Sequence, residues 1–403
     1  MMDDANARRH FWRGTRGAIA ASSLGCLLAA SGMAQSRTSQ LETTGFAGYQ
    51  EQAFALLRSR RIFQSDDRAA ELVWNGPGEW RPVSRDAHQP PEKGILLVHG
   101  LGDSPWSFHD LAPELAREGF LVRTVLLPGH GTKPDDLLDV TLEQWRRVVQ
   151  EQVAAMQQDV SGPVFLGGFS TGANLALEVA YSHPEIAGLV LVSPGFRTSV
   201  PLGWLAPLVA RIRPWLVTPG DRAPAQNVVR YMTTPTNGFA QFYRSAQAAQ
   251  RLLRERTYDK PVFMAVAQHD SVLDAKYLLD VFQRRFINPH SRMVWYGSAP
   301  VGLSDPARVI VREDKLVQHR ISQFSHMGLL FSPSNPLYGS GGSVRICLNS
   351  LDRDATRECE QSRQVWYSDW GYQEEGKIHA RLTFNPYFDW QASVMASVLA
   401  GPQ

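Results

Sequence analysis

The residue with the clearest chemical potential is Ser170, which forms the pattern G-x-S-x-G with Gly168 and Gly172. An apolar run, residues 164–166, precedes this pattern, and a run with helical spacing, residues 173–180, follows it. A serine between a buried strand and a helix lies on a strained turn, which presents its hydroxyl at the end of the sheet. We therefore predict that Ser170 is a nucleophile. The alternative is an ordinary strand-to-helix turn.

A serine hydroxyl is a poor nucleophile at neutral pH and needs a base, usually a histidine that a buried carboxylate orients. Asp270 is the predicted acid, because it directly follows the apolar run of residues 261–267. Asp274 is the alternative. It lies where a helix is expected to begin, however, and aspartate is a favourable residue at that position.

His326 is the predicted base, because it follows the last strand pattern of the core and precedes the apolar residues 329–331. His319 is the nearest alternative, and His269 and His290 are less well placed. The predicted nucleophile, acid and base stand in the chain order serine, aspartate, histidine. That order accompanies this turn motif.

Two backbone N–H groups are predicted to stabilise the negative charge that develops when the nucleophile attacks a carbonyl group. One is the N–H of Thr171, which directly follows the nucleophile, and the other is that of Leu101, in the loop after the apolar run 94–98. His99 and Gly100 lie in the same loop and are predicted to shape the turn rather than to transfer protons.

Strand and helix patterns alternate along the chain. Continuous apolar runs predict buried strands at residues 94–98, 121–127, 164–166, 188–192, 261–267 and 292–296. Helical patterns occupy residues 46–61, 108–118, 141–158, 274–285 and 385–400. Residues 70–74 are also predicted as a strand, and residues 309–311 as an extra strand. This alternation predicts an α/β fold with a mainly parallel sheet covered by helices on both faces, which binds ligands at the carboxyl ends of its strands.

Residues 196–258 interrupt the alternation with many prolines and are predicted to form an inserted cap of short helices. The apolar side chains of this cap could line a pocket for an acyl chain, or they could form the cap's own core. Both interpretations stay open for Leu202, Trp204, Leu205, Leu208, Val209, Trp215 and Leu216.

Five short motifs together resemble the α/β-hydrolase superfamily, in the branch that contains monoglyceride lipases, lysophospholipases, bacterial carboxylesterases and the serine aminopeptidase domain. They are His99-Gly100-Leu101-Gly102, Pro128-Gly129-His130-Gly131, Gly168-Phe169-Ser170-Thr171-Gly172, Gln268-His269-Asp270 and Ser325-His326. The resemblance covers residues 90–331. It implies an α/β-hydrolase fold with Ser170 as nucleophile, Asp270 as orienting acid and His326 as base, and it implies no metal and no organic cofactor.

Four regions are predicted along the chain. Residues 1–34 are an export signal, and residues 35–90 contain an N-terminal helix and the first strands. Residues 91–331 form the α/β-hydrolase core, with the cap at 196–258. Residues 332–403 are a C-terminal elaboration with a disulfide and a closing helix.

The predicted export signal has a basic start, a mildly apolar middle at residues 18–30, and small residues before Gln35 that suit cleavage. Arg8 and Arg9 begin a stretch similar to a twin-arginine signal. A lipid attachment at Cys26 is a weaker alternative, because the residues before it fit such a site poorly. We expect an exported protein, either periplasmic or secreted.

Removal of residues 1–34 would leave two cysteines, Cys347 and Cys359. In an oxidising compartment these two predict one disulfide; two free buried thiols are the alternative. The removed segment holds four of the 41 basic and two of the 39 acidic residues, which leaves 37 of each. This balance does not favour nucleic acid as a partner.

The predicted function is that of an exported serine hydrolase that cleaves carboxylic esters through an acyl-enzyme intermediate. The expected partner is a small-molecule acyl ester of lipid-like character, and association with a membrane surface is compatible with the apolar cap. Peptide or amide cleavage and acyl transfer are the alternatives, and a non-catalytic binding protein is a weaker one. An aminopeptidase would need an acidic residue to hold a free amine, and Asp221 is the only acid between Phe196 and Arg254.

Overall fold

An eight-stranded sheet organises the computed structural model, which describes residues 45–83, 89–221, 224–350 and 352–400. These residues belong to one unit, Thr43–Gln403. The predicted export signal and Cys26 lie outside the described residues.

The sheet has the strand order β1-β3-β2-β4-β5-β6-β7-β8. Strands β2 to β8 run parallel, and the two-residue strand β1 pairs antiparallel with β3. The strands are β1 (Glu79–Trp80), β2 (Lys93–Val98), β3 (Phe120–Val125), β4 (Val164–Phe169), β5 (Ile186–Val192), β6 (Val262–Ala267), β7 (Arg292–Tyr296) and β8 (Val309–Arg312). The mainly parallel α/β sheet is confirmed, and so is the extra strand at residues 309–311.

Helices cover both faces of the sheet. They are α1 (Gly45–Arg60), α2 (Arg68–Asn75), α3 (Leu111–Arg117), α4 (Leu142–Asp159), α5 (Thr171–Ser182), α6 (Ala206–Val209), α7 (Thr236–Glu255), α8 (Ala275–Arg285), α9 (Arg353–Gln361) and α10 (Phe388–Ala400). Among the described residues, none of the helices is both long enough and apolar enough to cross a membrane.

Two apolar cores lie on opposite sides of the sheet, because successive side chains of a strand point to opposite faces. In β2, Leu96 and Val98 join the core beneath α4, α5 and α7, whereas Ile95 and Leu97 join the core that includes α3 and α10. This two-sided burial explains why the central strands read as continuous apolar runs.

The strand predicted at residues 70–74 is wrong, because these residues lie in helix α2. Asp67 precedes the helix, and its side chain accepts a hydrogen bond from the Ala70 N–H at 2.9 Å. Glu71 then lies fully buried and pairs with Arg61 at 2.7 Å. The helix is thus stabilised by a cap and by an ion pair with the preceding segment, neither of which a short apolar run reveals.

The described part of the predicted cap contains the short helix α6 and also the 20-residue helix α7, which the prediction of short helices missed. Helix α7 packs Ala249 into the core beside α5, and its small residue Ala246 is also buried. The interpretation as the cap's own core does not hold for all of the apolar cap residues. Four are more than half exposed: Leu202, Trp204, Leu208 and Leu216.

The C-terminal elaboration holds the predicted disulfide, which joins Cys347 to Cys359. Two short parallel strands, β9 (Trp366–Ser368) and β10 (His379–Arg381), lie beside it. This region is more than a surface addition, because Tyr338, Leu382 and Phe384 are buried in the same core as α10. It therefore packs directly against the hydrolase core.

Candidate active site

Ser170 lies in the turn between β4 and α5 with φ 53° and ψ −115°, a backbone conformation uncommon for any residue but glycine. The flanking glycines are required by space. A Cβ on Gly172 would overlap the carbonyl oxygen of Val98, and one on Gly168 would overlap the backbone of Gly172. The chain can therefore make this sharp turn, with its strained serine, only with glycine on either side.

Thr171 is the first residue of α5, where backbone N–H groups have no acceptor within the helix. The positive end of the helix dipole lies at the same point. The N–H of Thr171 is therefore of the kind that can donate to a negatively charged oxygen beside Ser170.

Asp270 and His326 form a close pair, with 2.7 Å between Oδ2 of the aspartate and Nδ1 of the histidine. The other oxygen of Asp270 accepts from the N–H groups of Val272 and Leu273, at 2.8 and 3.0 Å. Both side chains are almost inaccessible, at 1% for the aspartate and 10% for the histidine. The contact lets Nδ1 donate to the carboxylate and leaves Nε2 as the other ring nitrogen.

The imidazole of His326 lies beside the turn that carries Ser170. Its ring centroid is 4.9 Å from that of Phe169, the residue directly before the serine. The hydroxyl of Ser193, at the end of β5, donates to the carbonyl oxygen of His326 at 2.9 Å. Segments that are distant in sequence thus place the predicted base against Phe169, the residue before the predicted nucleophile.

The loop after β2 packs against the same turn. A Cβ on Gly100 would lie 3.3 Å from Cβ of Ser170, so the two backbones pass close to each other. The cap holds this loop from the other side, where the Tyr231 N–H donates to the carbonyl of Gly102 at 2.7 Å. Leu101 therefore lies in a loop that touches the predicted nucleophile.

His99 is fully buried and bridges two backbone segments. Its Nε2 accepts from the Leu127 N–H at 3.1 Å, so its Nδ1 carries the proton that is donated to the Gly100 carbonyl at 2.8 Å. Burial lowers the pKa of His99 well below its usual value, and neighbouring His130 lowers it further. His99 is a neutral structural residue of the turn, as predicted.

The alternative acid and bases lie elsewhere. Asp274 caps α8, where it accepts from the Tyr277 N–H at 3.0 Å. His269 pairs with Asp314 at 2.6 Å, which raises the pKa of this half-exposed histidine. His319 is exposed, and the partly buried His290 lies in the turn before β7.

Sequence reasoning missed Asp369, which follows β9 in the C-terminal elaboration. One of its oxygens accepts from the Ser271 N–H at 2.7 Å, and the other from the His326 N–H at 3.3 Å. Burial raises the pKa of Asp369, and the charge of Asp270 raises it further. The available signal was an aspartate directly after a strand, which is also the pattern that identified Asp270.

A second charged pair borders the site. Asp103, in the loop after β2, lies 3.5 Å from Arg230 of the cap, whose guanidinium also contacts the sulfur of Met327 at 3.3 Å. Burial raises the pKa of Asp103, an effect that Arg230 and His326 oppose. The cap therefore brings charged as well as apolar side chains to the edge of the site.

A cleft of about 680 Å³ is lined by residues that include Trp74, Trp106 and His109. Neither the predicted nucleophile nor the predicted base lines it. None of the residues that line this cleft belongs to the cap, so it is not the acyl pocket of the first interpretation of the cap.

The model of the alpha/beta hydrolase family matches residues 95–338, more than half of the chain. The chain belongs to this family. The match includes the turn at Ser170, the Asp270–His326 pair and the loop after β2. It ends before the disulfide and before Asp369.

Two curated relatives match shorter stretches. A thermostable monoacylglycerol lipase of Bacillus sp. (strain H-257) is 36% identical over 100 residues, which are 25% of this chain and 40% of that protein. A pimeloyl-acyl-carrier protein methyl ester esterase of Aromatoleum aromaticum is 36% identical over 107 residues, 26% of this chain and 39% of the relative. The chain thus spans about two fifths of the length of these relatives.

Solved structures also resemble this chain, at low identity. One, from a study of the metagenome-derived lipolytic enzymes LipS and LipT, is 22% identical with a TM-score of 0.46, over 55% of this chain and 86% of the other. A soluble variant of the monoglyceride lipase of Saccharomyces cerevisiae is 19% identical with a TM-score of 0.43, over 55% and 82%. The family assignment rests on the family-model match and not on these structures.

Proposed function

We propose that this hydrolase cleaves carboxylic esters with Ser170 as nucleophile, His326 as general base and Asp270 as the acid that orients the base. The observation that carries the proposal is the buried 2.7 Å pair between Asp270 and His326 beside the strained turn of Ser170. Ser170 follows β4, Asp270 follows β6 and His326 lies after β8. Parallel sheets bind ligands at the carboxyl ends of their strands.

In the proposed first step, the Ser170 hydroxyl oxygen attacks the ester carbonyl carbon while Nε2 of His326 accepts the hydroxyl proton. The carboxylate of Asp270 stabilises the positive charge that this creates on the imidazole. The tetrahedral intermediate collapses when the bond to the leaving alkoxide breaks, and the imidazolium returns its proton to that oxygen. The products are a free alcohol and an acyl-serine.

In the second step, water attacks the acyl-serine and His326 again accepts a proton. Collapse of the second intermediate breaks the bond to Ser170, returns the proton to the serine oxygen and releases the carboxylic acid. In both steps the N–H groups of Thr171 and Leu101 donate to the oxyanion, each lowering the barrier by about 3–4 kcal/mol.

The proposed substrate is a lipid-like ester. The names of the two curated relatives, a monoacylglycerol lipase and a methyl ester esterase, support ester chemistry. The exposed cap residues Leu202, Trp204, Leu208 and Leu216 provide apolar surface that suits a lipid assembly. Hydrolysis of p-nitrophenyl esters from C2 to C16 measures the preferred acyl chain length.

An aminopeptidase, in which the cap would bind a free amine, is a weaker candidate than an ester hydrolase. Asp221, the acid that an aminopeptidase would use there, is half exposed and lies 3.4 Å from Arg353 of α9. It therefore already has a basic partner at the surface.

Export to the periplasm or secretion is part of the proposal. The disulfide between Cys347 and Cys359 supports it, because such bonds persist in oxidising compartments. Mass spectrometry of the mature N-terminus tests it. A first residue of Gln35 supports cleavage of the signal, a diacylated Cys26 would replace it with lipid anchoring, and an unprocessed chain would contradict export.

The decisive experiment measures hydrolysis of p-nitrophenyl esters from C2 to C16 by the wild-type protein and by Ser170→Ala. We expect the variant to lose nearly all activity. Ser182→Ala is the matched control, because Ser182 lies at the far end of the same helix and is exposed. Undiminished hydrolysis by Ser170→Ala would refute the assignment. Faster turnover of aminoacyl-nitroanilides than of esters would instead favour amide cleavage.

A further inference from the structure

Asp369 connects the two segments that carry the predicted acid and base. Its Oδ2 accepts from the N–H of Ser271, the residue directly after Asp270, at 2.7 Å. Its Oδ1 accepts from the N–H of His326 at 3.3 Å. One carboxylate from the C-terminal elaboration thus bonds to both segments.

This bridge matters because the acid and the base are 56 residues apart in the chain. Their side chains meet only if the two segments are held in a fixed relation. The backbone of His326 is held at both of its polar groups, at the N–H by Asp369 and at the carbonyl by Ser193. Ser193 reaches the strand before Asp270, where its N–H donates to the carbonyl of Ala265 at 2.8 Å, whereas Asp369 bonds to Ser271, the residue directly after Asp270.

Asp369 also has contacts within the C-terminal elaboration. It is 1% exposed, and Asn349 donates to its carbonyl oxygen at 3.2 Å. Arg381 of β10 donates to the side chain of Asn349 at 2.9 Å. The positive charge of Arg381 attracts both Asp369 and Asp270, so it offsets the repulsion between these two buried carboxylates. The backbone of Asp369 is therefore held by a partner that belongs to the same elaboration.

We propose that Asp369 is a positioning residue, which holds the segments of Asp270 and His326 in register so that the imidazole is aligned with Ser170. This inference rests on the proposed function. It makes the C-terminal elaboration a structural part of the active site.

The variant Asp369→Asn tests the proposal with little change of volume. An amide has one acceptor oxygen, so it can accept from Ser271 or from His326, while its NH₂ group faces the other donor. We expect kcat for p-nitrophenyl esters to fall by about 10- to 100-fold, because misplacing a catalytic group by about 1 Å costs rate on this scale. KM should stay within about twofold, since Asp369 does not bind the substrate.

A fluorophosphonate probe that labels Ser170 separates positioning from mere loss of folded protein. A misaligned base lowers the rate constant of labelling, whereas partial unfolding lowers only the fraction that becomes labelled. We expect a lower rate constant with a nearly full labelled fraction. Because the rate constant refers to folded molecules alone, it stays informative if the variant is unstable, and Asp369→Ser supplies a smaller acceptor as a second variant.

Asp314→Asn is the matched control. Asp314 is a mostly buried carboxylate paired with His269, the residue directly before Asp270, and the structure gives it no bond to the segment of His326. We expect the control to label and hydrolyse at rates close to wild type.

A labelling rate constant for Asp369→Asn equal to that of Asp314→Asn would overturn the inference, and so would a loss confined to the labelled fraction. Failure of the proposed function looks different. In that case the wild type would not be labelled, or Ser170→Ala would hydrolyse esters as fast as the wild type, whatever the residue at position 369.

Discussion

Replacement of Asp270 by asparagine isolates the role of one oxygen atom. In the native chain Oδ1 accepts from Val272 and Leu273, and Oδ2 accepts from His326. The amide oxygen of asparagine can keep both backbone bonds, while its NH₂ group faces Nδ1 of the histidine. The imidazole must then carry its proton on Nε2, where it can no longer accept one from Ser170.

The size of the effect follows from burial. At an effective dielectric constant of about 20, two unit charges about 4 Å apart attract by about 4 kcal/mol. Asp270 has a side chain only 1% exposed, so water cannot replace its charge beside the imidazolium. The wrong tautomer adds to this loss, and the equivalent change in serine proteases lowers kcat by about 10⁴-fold. We therefore expect a fall of about 10³- to 10⁴-fold, or about 4–5 kcal/mol in the barrier.

The assay compares kcat for a p-nitrophenyl ester and the midpoint of urea unfolding in Asp270→Asn and Asp274→Asn. Asp274 caps α8 through one backbone bond, and asparagine caps helices equally well. We expect the first variant to lose activity at nearly unchanged stability and the second to remain active. More than a tenth of wild-type kcat in Asp270→Asn, or an equal loss in both variants, would refute the reasoning.

Three further predictions concern stability. Glu71→Ala should lower the free energy of unfolding by about 3–5 kcal/mol, because Arg61 is left buried without its partner; adding Arg61→Met should restore part of the loss in urea titrations. The double variant with Cys347→Ser and Cys359→Ser should have a free energy of unfolding lower by about 3 kcal/mol. Reductant should then have no further effect on its thermal unfolding. Burial lowers the pKa of His130 to about 4 from 6.5, so the unfolded chain binds its proton more tightly. The free energy of unfolding should therefore fall as the pH drops from about 6.5 to 4. Between pH 7.5 and pH 5 it should fall less for His130→Gln than for the wild type.

Local patterns predict much of the fold and of the candidate site because both depend on short segments. The parallel sheet follows from buried apolar strands, and Ser170 is identified by the glycines that its turn requires. Asp270 and His326 are named from their positions after strands, and the structure brings them to 2.7 Å. Their catalytic roles stay predictions until the variants are measured.

The errors occur where contacts outside the short apolar pattern decide the outcome. Residues 70–74 resemble a strand in isolation, but the cap by Asp67 and the buried pair of Glu71 with Arg61 stabilise a helix. Helix α7 lies in a segment whose prolines suggested only short helices. In the cap, the exposure of Trp204 depends on how the segment folds over the core and is not encoded in its apolar character.

The sequence alone predicted the alternation of strands and helices, the turn at Ser170, and Asp270 and His326 as candidate acid and base, because each prediction depends on spacing within a few residues. Only the tertiary structure decided that Asp369 bonds to the segments of both Asp270 and His326. Its partners are 98 and 43 residues away, and nothing in the local pattern of Ser368-Asp369 specifies them. Chain order limits which residues lie at strand ends, whereas packing of the C-terminal elaboration on the core decides which of them meet.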